Sequence, residues 1–411
     1  MYDFKEDIYR IVSSSIQAVL PDQAVRKALE NKSFNEGDLY LVAIGKAAYQ
    51  MAKTAKEVLG EQIVDGIVIT KYDHVLDSID GITCYEAGHP VLDKNGIEAS
   101  QQVLEMVSNL EPEDTVIFLV SGGGSALFED PLVDLEDLQS INQQLLNSGA
   151  SIQEINCIRK RLSGVKGGKF AKLCAPANIY TIVLSDILGD PLDMIASGPA
   201  YVDTSTSQEA LDIVRKYHLD VSDDVLSLLK EEGIKALDNV ETVVTGSVKE
   251  FVKAGQSICQ ELGYEVIYLS DQVDGQAKEI GYILGAIGKS HNDTTKSLAF
   301  ILGGESVVKI QGSGKGGPNQ ELALAAAIKI DGLDDMAVLS ISSDGSDGPT
   351  DATGGYVDTQ SVTKLKALGM NVEAILEDND SYHALQAIDT LIKTGPTGSN
   401  VNDMSILLIK R

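Results

Sequence analysis

Cysteine, histidine and positive charge are all sparse in this 411-residue chain, and each scarcity removes a class of function. The four cysteines, Cys84, Cys157, Cys174 and Cys259, show no CxxC spacing, which excludes a disulfide framework and points to reduced thiols in the cytosol. The five histidines are equally dispersed, so neither residue type offers the ligand spacing of a zinc site. Lys and Arg number 33 against 61 acids, a formal net charge of −28, and most of such a surface repels a phosphate backbone. Nucleic acid is therefore not an expected partner, whereas a small anion held at a local basic patch is. No apolar run approaches a membrane span, and residues 1–20 carry Asp3, Lys5, Glu6, Asp7 and Arg10 where a secretory signal is apolar.

What is present is ordinary globular usage, 43% hydrophobic and 23% charged, in a chain too long for one core, which implies two domains. Short apolar runs at 39–44, 66–69, 115–120, 179–184, 265–269, 297–302 and 336–341 end in glycine, serine or aspartate and give way to helical patterns. That rhythm belongs to parallel β-α-β units, so the expected class is α/β, with chemistry at the carboxyl ends of the strands. The charged helical stretch 208–241 reads as a connection, dividing the chain into domains 1–239 and 240–411. Residues 402–410 read as a final strand that returns to a sheet built earlier.

Between Arg159 and Lys172 six of fourteen residues are basic and none is acidic. This island, with Gly167 and Gly168 inside it, is expected to close on phosphate or carboxylate oxygens. The turn Ser121-Gly122-Gly123-Gly124-Ser125 follows an apolar strand, and its glycines open the backbone amides to an oxyanion. Lys46, directly after the first strand, is placed to neutralise charge on a transferring phosphoryl group. Asp186 and Asp190, with Gly189 between them, lie past another strand and offer hard oxygens for Mg²⁺ or for proton transfer. A second glycine loop satisfies G-x-G-x-x-G at Gly312, Gly314 and Gly317, a weak match alone, with Asn319 placed to cap the next helix behind Pro318. Residues 342–355 space acids among glycines without the terminal glutamate of an EF-hand. No Walker A loop exists, because Tyr40, Ser163 and Lys309 stand where its first glycine belongs ahead of Lys46, Lys169 and Lys315. A lone histidine such as His89 reads as structural before it reads as catalytic.

Taken in order, Gly88-His89-Pro90, the 121–126 turn, residues 156–168, 184–199, Gly303-Gly304-Glu305, 314–324, 344–355 and the closing Thr394-Gly395-Pro396-Thr397-Gly398-Ser399-Asn400-Val401-Asn402-Asp403 resemble the glycerate 2-kinase family. The C-terminal part is similar to that family's MOFRL domain. The resemblance implies a larger Rossmann-like domain and a smaller MOFRL-type α/β domain, with the active site in the cleft between them. It implies ATP, with Mg²⁺ or another divalent cation, and phosphorylation of D-glycerate to 2-phosphoglycerate, with 3-phosphoglycerate as the alternative product. Lys46 falls on the lysine regarded in that family as important for catalysis. Pro318 stands where many members have Arg in Gly-Gly-Arg-Asn-Gln, so Arg159, Arg161 or Lys315 would have to supply that charge.

The expected site therefore comprises Lys46, Asp186 and Asp190 as catalytic groups, Lys46 and Arg159 for glycerate, and Asp186 and Asp190 for metal. Nucleotide contacts are expected from Ser121, Gly122, Gly123, Gly124, Ser125, Lys166, Gly167, Gly168, Gly189 and Asn319. The rival enzyme is an NAD(P)-dependent hydroxypyruvate reductase, suggested by the G-x-G-x-x-G match but lacking the ribose-binding acid about 20 residues on. A non-catalytic anion-binding protein is weaker still. The number of subunits is left open.

Overall fold

Six strands build the first sheet: β1 (Leu39–Ile44), β2 (Ile63–Lys71), β3 (Thr83–Ala87), β4 (Thr115–Val120), β5 (Asn178–Leu184) and β6 (Val240–Gly246). This computed structural model describes residues 2–411; Met1, the first residue of the expected N-terminal domain, lies outside them. β4 is buried along its whole length and β1 and β5 nearly so, which is why each reads as an unbroken apolar run. The strand order is β3-β2-β1-β4-β5-β6, with β1 parallel to both β2 and β4, β2 parallel to β3, and β4 parallel to β5. The chain leaves β1 in one direction to lay down β2 and β3 and returns to its other flank for β4. The carboxyl ends of β1 and β4 thus border a topological switch point, where open parallel sheets bind ligands.

By its internal contacts the chain forms two units: Ala24–Ser185 with Asp190–Thr245, and residues up to Gln23 with Asp186–Gly189 and Gly246–Arg411. In the first unit, helices Leu135–Asn147 and Ile152–Arg161 are inserted between β4 and β5 and pack against Ser207–Tyr217 and Asp223–Leu229. Leu138, Ile141, Ile158, Ala210, Ile213, Val225 and Leu229 supply the shared apolar faces. Ser151 with Glu154 and Thr206 with Glu209 form capping boxes that start two of these helices. The stretch expected to be a connection is therefore largely part of the first unit's core, its charges belonging to the outer faces of two amphipathic helices.

The second sheet contains β7 (Glu265–Gln276), β8 (Leu298–Val307), β9 (Met336–Ser342), β10 (Gly354–Asp358), β11 (Leu391–Ile392) and β12 (Asp403–Ile409), in the order β11-β10-β9-β12-β8-β7. Only the β7–β8 pair is parallel; β8–β12, β12–β9, β9–β10 and β10–β11 are antiparallel. The parallel rhythm expected for the whole chain thus holds in the first sheet and not in the second. β12 lies inside its own unit's sheet, between β9 and β8.

Of the points where the chain passes between the units, the last falls between Thr245 and Gly246. The N-terminal helix Lys5–Ala18 groups with the second unit because it packs on helix Val248–Glu261. Asp7 secures it by accepting from the hydroxyls of Tyr2 at 3.0 Å and Tyr264 at 2.6 Å. Helix Pro318–Ile330 is buried on nearly every side, residues 322–327 by apolar packing and Asn319, Gln320 and Glu321 through hydrogen bonds to Asp347 and Asn379. Among the described residues no helix is long and apolar enough to cross a membrane.

Candidate functional site

The strand ends of β1 and β4 are in register, Ile44 opposite Val120, and the turns that follow are stitched together. The Lys46 amide donates to Gly122 O at 2.9 Å, the Ala47 amide donates to Ser121 Oγ at 3.1 Å, and Ser121 Oγ donates to Ile44 O at 3.2 Å. Gly123 adopts a left-handed φ of 89°, and a Cβ there would lie 2.9 Å from His89 Nε2 and 3.3 Å from Lys46 Cγ. Glycine is thus required both by the backbone and by the space, and Lys46, His89 and the glycine turn meet at one point. The amides of Gly122 and Gly123 donate to no protein acceptor among the described residues, and the Lys46 ammonium pairs with no carboxylate there. A turn with open amides beside an unpaired cation has the groups to bind an anion.

A cavity of about 730 Å³ opens on this turn within the first unit, with His89, Gly123, Ser125, Glu129 and Arg159 in its wall. Ser125 Oγ lies 3.0 Å from Ser197 Oγ, which donates to Asn156 Oδ1 at 2.7 Å, so the hydroxyl is held in place. Arg159 Nε donates to Asn142 Oδ1 at 2.6 Å, and the guanidinium forms no salt bridge among the described residues. Burial lowers its pKa and the charge of Glu129 opposes that effect; a guanidinium stays charged in either case. Glu129 is buried, with Oε2 accepting from Lys166 and Oε1 lacking a hydrogen-bond partner. Two unpaired cations, open amides and a fixed hydroxyl can bind a multiply charged anion and stabilise negative charge that grows on it.

The model of a domain of unknown function, DUF4147, matches residues 7–230, and that of the MOFRL family matches residues 298–403. The chain is 47% identical over 405 residues to the D-glycerate 2-kinase of Thermotoga maritima, with 97% of each chain covered. The chain belongs to the glycerate 2-kinase family. A glycerate 2-kinase of Pyrococcus horikoshii is 36% identical over 434 residues, covering 99% of this chain and 98% of its own. The crystal structure of a glycerate kinase from Thermotoga maritima superposes with a TM-score of 0.95 at 46% identity, over 99% of both chains. The α/β architecture with a MOFRL domain is that of the glycerate 2-kinase family.

In this family member the basic island turns out to be chiefly structural. Lys160 is buried and donates to Asp193 Oδ2 at 3.0 Å; Arg161 is buried and reaches Asp203 Oδ2 at 3.3 Å and Ser205 Oγ at 2.8 Å. Lys166 has no exposed surface, and its ammonium donates to Phe128 O at 3.0 Å and to Glu129 Oε2 at 2.5 Å. Lys169 Nζ caps the carbonyls of Lys160 and Ser163. The Gly167 and Gly168 amides are already donated to Ser197 O at 3.1 Å and Gly198 O at 2.8 Å. Lys166, Gly167 and Gly168 therefore leave the phosphate-binding set; Arg159 alone carries the island's charge to the cavity wall.

The second glycine loop is likewise committed. Gly312 N donates to Asn379 Oδ1 at 3.0 Å, Ser313 N to Asp378 Oδ1 at 2.9 Å, Gly314 N to Asp378 O at 2.8 Å and Lys315 N to Asp380 Oδ1 at 2.9 Å. Its glycines allow close backbone approach to residues 378–381, and its amides are spent there. Asn319 does not cap its helix. Asp347, a buried carboxylate from the 342–355 loop, does so, accepting from Asn319 N at 3.0 Å and Gln320 N at 2.9 Å. Asn319 Nδ2 also donates to Asp347 Oδ1 at 3.2 Å, and Asn319 Oδ1 accepts from Ser340 Oγ at 2.6 Å, so its side chain is engaged at both ends.

Asp186 and Gly189 group with the second unit and Asp190 with the first. Both aspartates are half-buried, Asp190 takes a left-handed φ of 51°, and Gly189 is exposed beside Gln272. Among the described residues no three His, Cys, Asp or Glu side chains converge on a metal position. Mg²⁺ carried with phosphate needs only one or two carboxylates, which either aspartate can offer. Sequence reasoning missed Glu129 and Asn142 because neither stands at a strand end; Glu129 had the signal of following closely on the glycine turn, and Asn142 had no local signal.

Proposed function

We propose that this chain transfers the terminal phosphoryl group of ATP to the 2-hydroxyl of D-glycerate, giving 2-phosphoglycerate and ADP. One observation carries the reading: Lys46, the open amides of Gly122 and Gly123, and a cavity walled by Ser125 and Arg159 converge at the switch point of a parallel sheet. Phosphoryl transfer asks for positioning and charge neutralisation rather than covalent help, and these groups supply both. The turn Ser121–Ser125 holds nucleotide phosphates, Lys46 neutralises the charge that builds on the moving phosphoryl group, and Arg159 takes the glycerate carboxylate through its guanidinium fork. Asp186 and Asp190 are our assignments for accepting the hydroxyl proton and for holding Mg²⁺, which when bound supplies further neutralisation of phosphate charge. Four free cysteines, three of them buried, support a reducing, cytosolic setting.

Phosphorus NMR of a mixture with ATP, Mg²⁺ and D-glycerate should show a 2-phosphoglycerate resonance growing with ADP. Lys46→Ala should lower kcat by about 100-fold or more without unfolding the chain; normal turnover in that variant would remove Lys46 from the mechanism. Steady NADH absorbance with hydroxypyruvate is expected, and its decay would favour the reductase.

A further inference from the structure

Glu129 brings an unsatisfied acceptor to the wall of the cavity. It is 3% exposed, Lys166 donates to its Oε2, and its Oε1 has no hydrogen-bond partner. Among the described residues that line this cavity, no other buried side-chain nitrogen or oxygen is left in that state. Glu136 and Gln143, on the exposed side of the same wall, have water to satisfy their oxygens. A buried carboxylate oxygen has no such relief, and a ligand that brings a donor to it gains what the protein otherwise forfeits.

The residue is also held still. Its amide donates to Ser100 Oγ at 3.0 Å, and Ser100 Oγ donates to Gly96 O at 2.7 Å. Phe128, just before it, packs edge-on against Phe170 with ring centroids 5.2 Å apart. An acceptor fixed in this way is preorganised for a donor that arrives with a ligand. Lys166 adds a second property. A lone carboxylate in the wall would repel an anionic substrate, whereas the buried ammonium balances Glu129 and leaves it able to accept a hydrogen bond. Glu129 is near enough to Arg159 for its charge to act on the guanidinium, and both border the same cavity.

D-Glycerate carries a carboxylate and two hydroxyls, and only one hydroxyl is phosphorylated. A guanidinium offers donors alone, so Arg159 suits the carboxylate and cannot take a hydroxyl proton. The reacting hydroxyl belongs beside Lys46 and the glycine turn, and Glu129 is not among the groups that meet there. We propose that Glu129 Oε1 accepts the hydrogen bond of the glycerate 3-hydroxyl while Arg159 holds the carboxylate, which leaves the 2-hydroxyl to react. Glu129 thereby sets acceptor specificity and regiochemistry. The inference rests on the kinase reading above and deepens it.

D-Lactate, the same acid without the 3-hydroxyl, isolates the contact. In the wild type its kcat/KM should fall about 10–100-fold below that of D-glycerate, the worth of a hydrogen bond to a charged acceptor. Glu129→Met combined with Lys166→Met removes both charges and strands neither, so the fold should survive while the two acids come within about threefold of each other. Glu129→Gln combined with Lys166→Met restores an acceptor oxygen and should recover at least about threefold of the preference. A wild type that treats the two acids alike, a preference that survives in the double methionine variant, or no recovery with glutamine would overturn the proposal. Calorimetric titration of D-glycerate, D-lactate and 3-hydroxypropanoate into the wild type needs no turnover. D-Lactate should bind more weakly than 3-hydroxypropanoate, which keeps the 3-hydroxyl; the reverse order would place Glu129 on the reacting hydroxyl and overturn the assignment. The expected order without phosphorylation of D-glycerate by ATP would sink only the kinase reading, whereas no detectable binding of D-glycerate would sink the Glu129 contact.

Discussion

Lys166→Met separates a structural cation from a phosphate ligand. The side chain has no exposed surface, and its ammonium is divided between Phe128 O at 3.0 Å and Glu129 Oε2 at 2.5 Å. Methionine keeps an apolar stem of similar length but strands Glu129, whose Oε1 already lacks a partner, with neither carboxylate oxygen satisfied. Removing one member of a buried ion pair costs about 3–5 kcal/mol, and the orphaned carbonyl adds about 1 kcal/mol. For a unit of this size the ion-pair loss alone lowers Tm by about 6–20 °C. Urea and thermal unfolding followed by circular dichroism measure the loss. The double variant with Glu129→Met should return to within about 2 kcal/mol of the wild type, because neither charge is then buried alone. KM for ATP, measured well below the melting transition, should stay within about twofold in Lys166→Met. Wild-type stability combined with a raised KM for ATP would refute this reasoning and restore Lys166 to the phosphate site.

Gly123→Ala should cut activity by at least about tenfold while costing about 1–3 kcal/mol, since it forces an alanine into left-handed backbone and onto the His89 ring; steady-state rates and melting curves report the two effects separately. Gly314→Ala, whose Cβ would sit 2.5 Å from Asp380 Cβ and 2.6 Å from Asp378 O, should lower stability by about 1–3 kcal/mol and leave KM for ATP unchanged, as a structural loop requires. Burial raises the Asp347 carboxyl from 3.8 to about 6 against the pull of its Asn319 and Gln320 donors. Below about pH 4 that group's contribution to stability is fully present, and it is lost as pH rises through 6, because the folded form alone holds the proton in between. Unfolding free energies compared from pH 4 to 7 should therefore show the wild type losing ground to Asp347→Asn over that window, and parallel pH profiles would contradict the assignment.

The strands that formed the sheet cores were legible because burial on both faces leaves a continuous apolar run, as in Thr115–Val120. That same property hides direction. A run such as Met336–Ser342 reads identically whether its neighbours lie parallel or antiparallel, so the mixed second sheet could not be anticipated. Thr83–Ala87 and Gly354–Asp358 were missed because short strands with polar or glycine residues carry little period-2 signal. At the site, the glycine turn and Lys46 were readable from their place at strand ends. The basic island was misjudged because a phosphate clamp and a set of buried ion pairs share one local composition. What distinguishes them is Glu129, Asp193 and Asp203, whose arrival beside Lys166, Lys160 and Arg161 is a tertiary event. The second glycine loop failed for the same reason, its amides claimed by residues 378–380.

Because β12 is wedged between β8 and β9, a ribosome that has released residues up to 400 has made both neighbours but not the strand that joins them. Until residues 403–409 emerge, each exposes an unpaired flank, the kind of edge that recruits strands from other chains. Helix Lys5–Ala18, among the first segments translated, must also wait for helix Val248–Glu261 before its apolar face is covered. Premature termination anywhere past the first unit should therefore leave a sticky half-sheet trailing a finished domain, and insoluble product from such fragments is the cellular cost of placing the final strand in the middle.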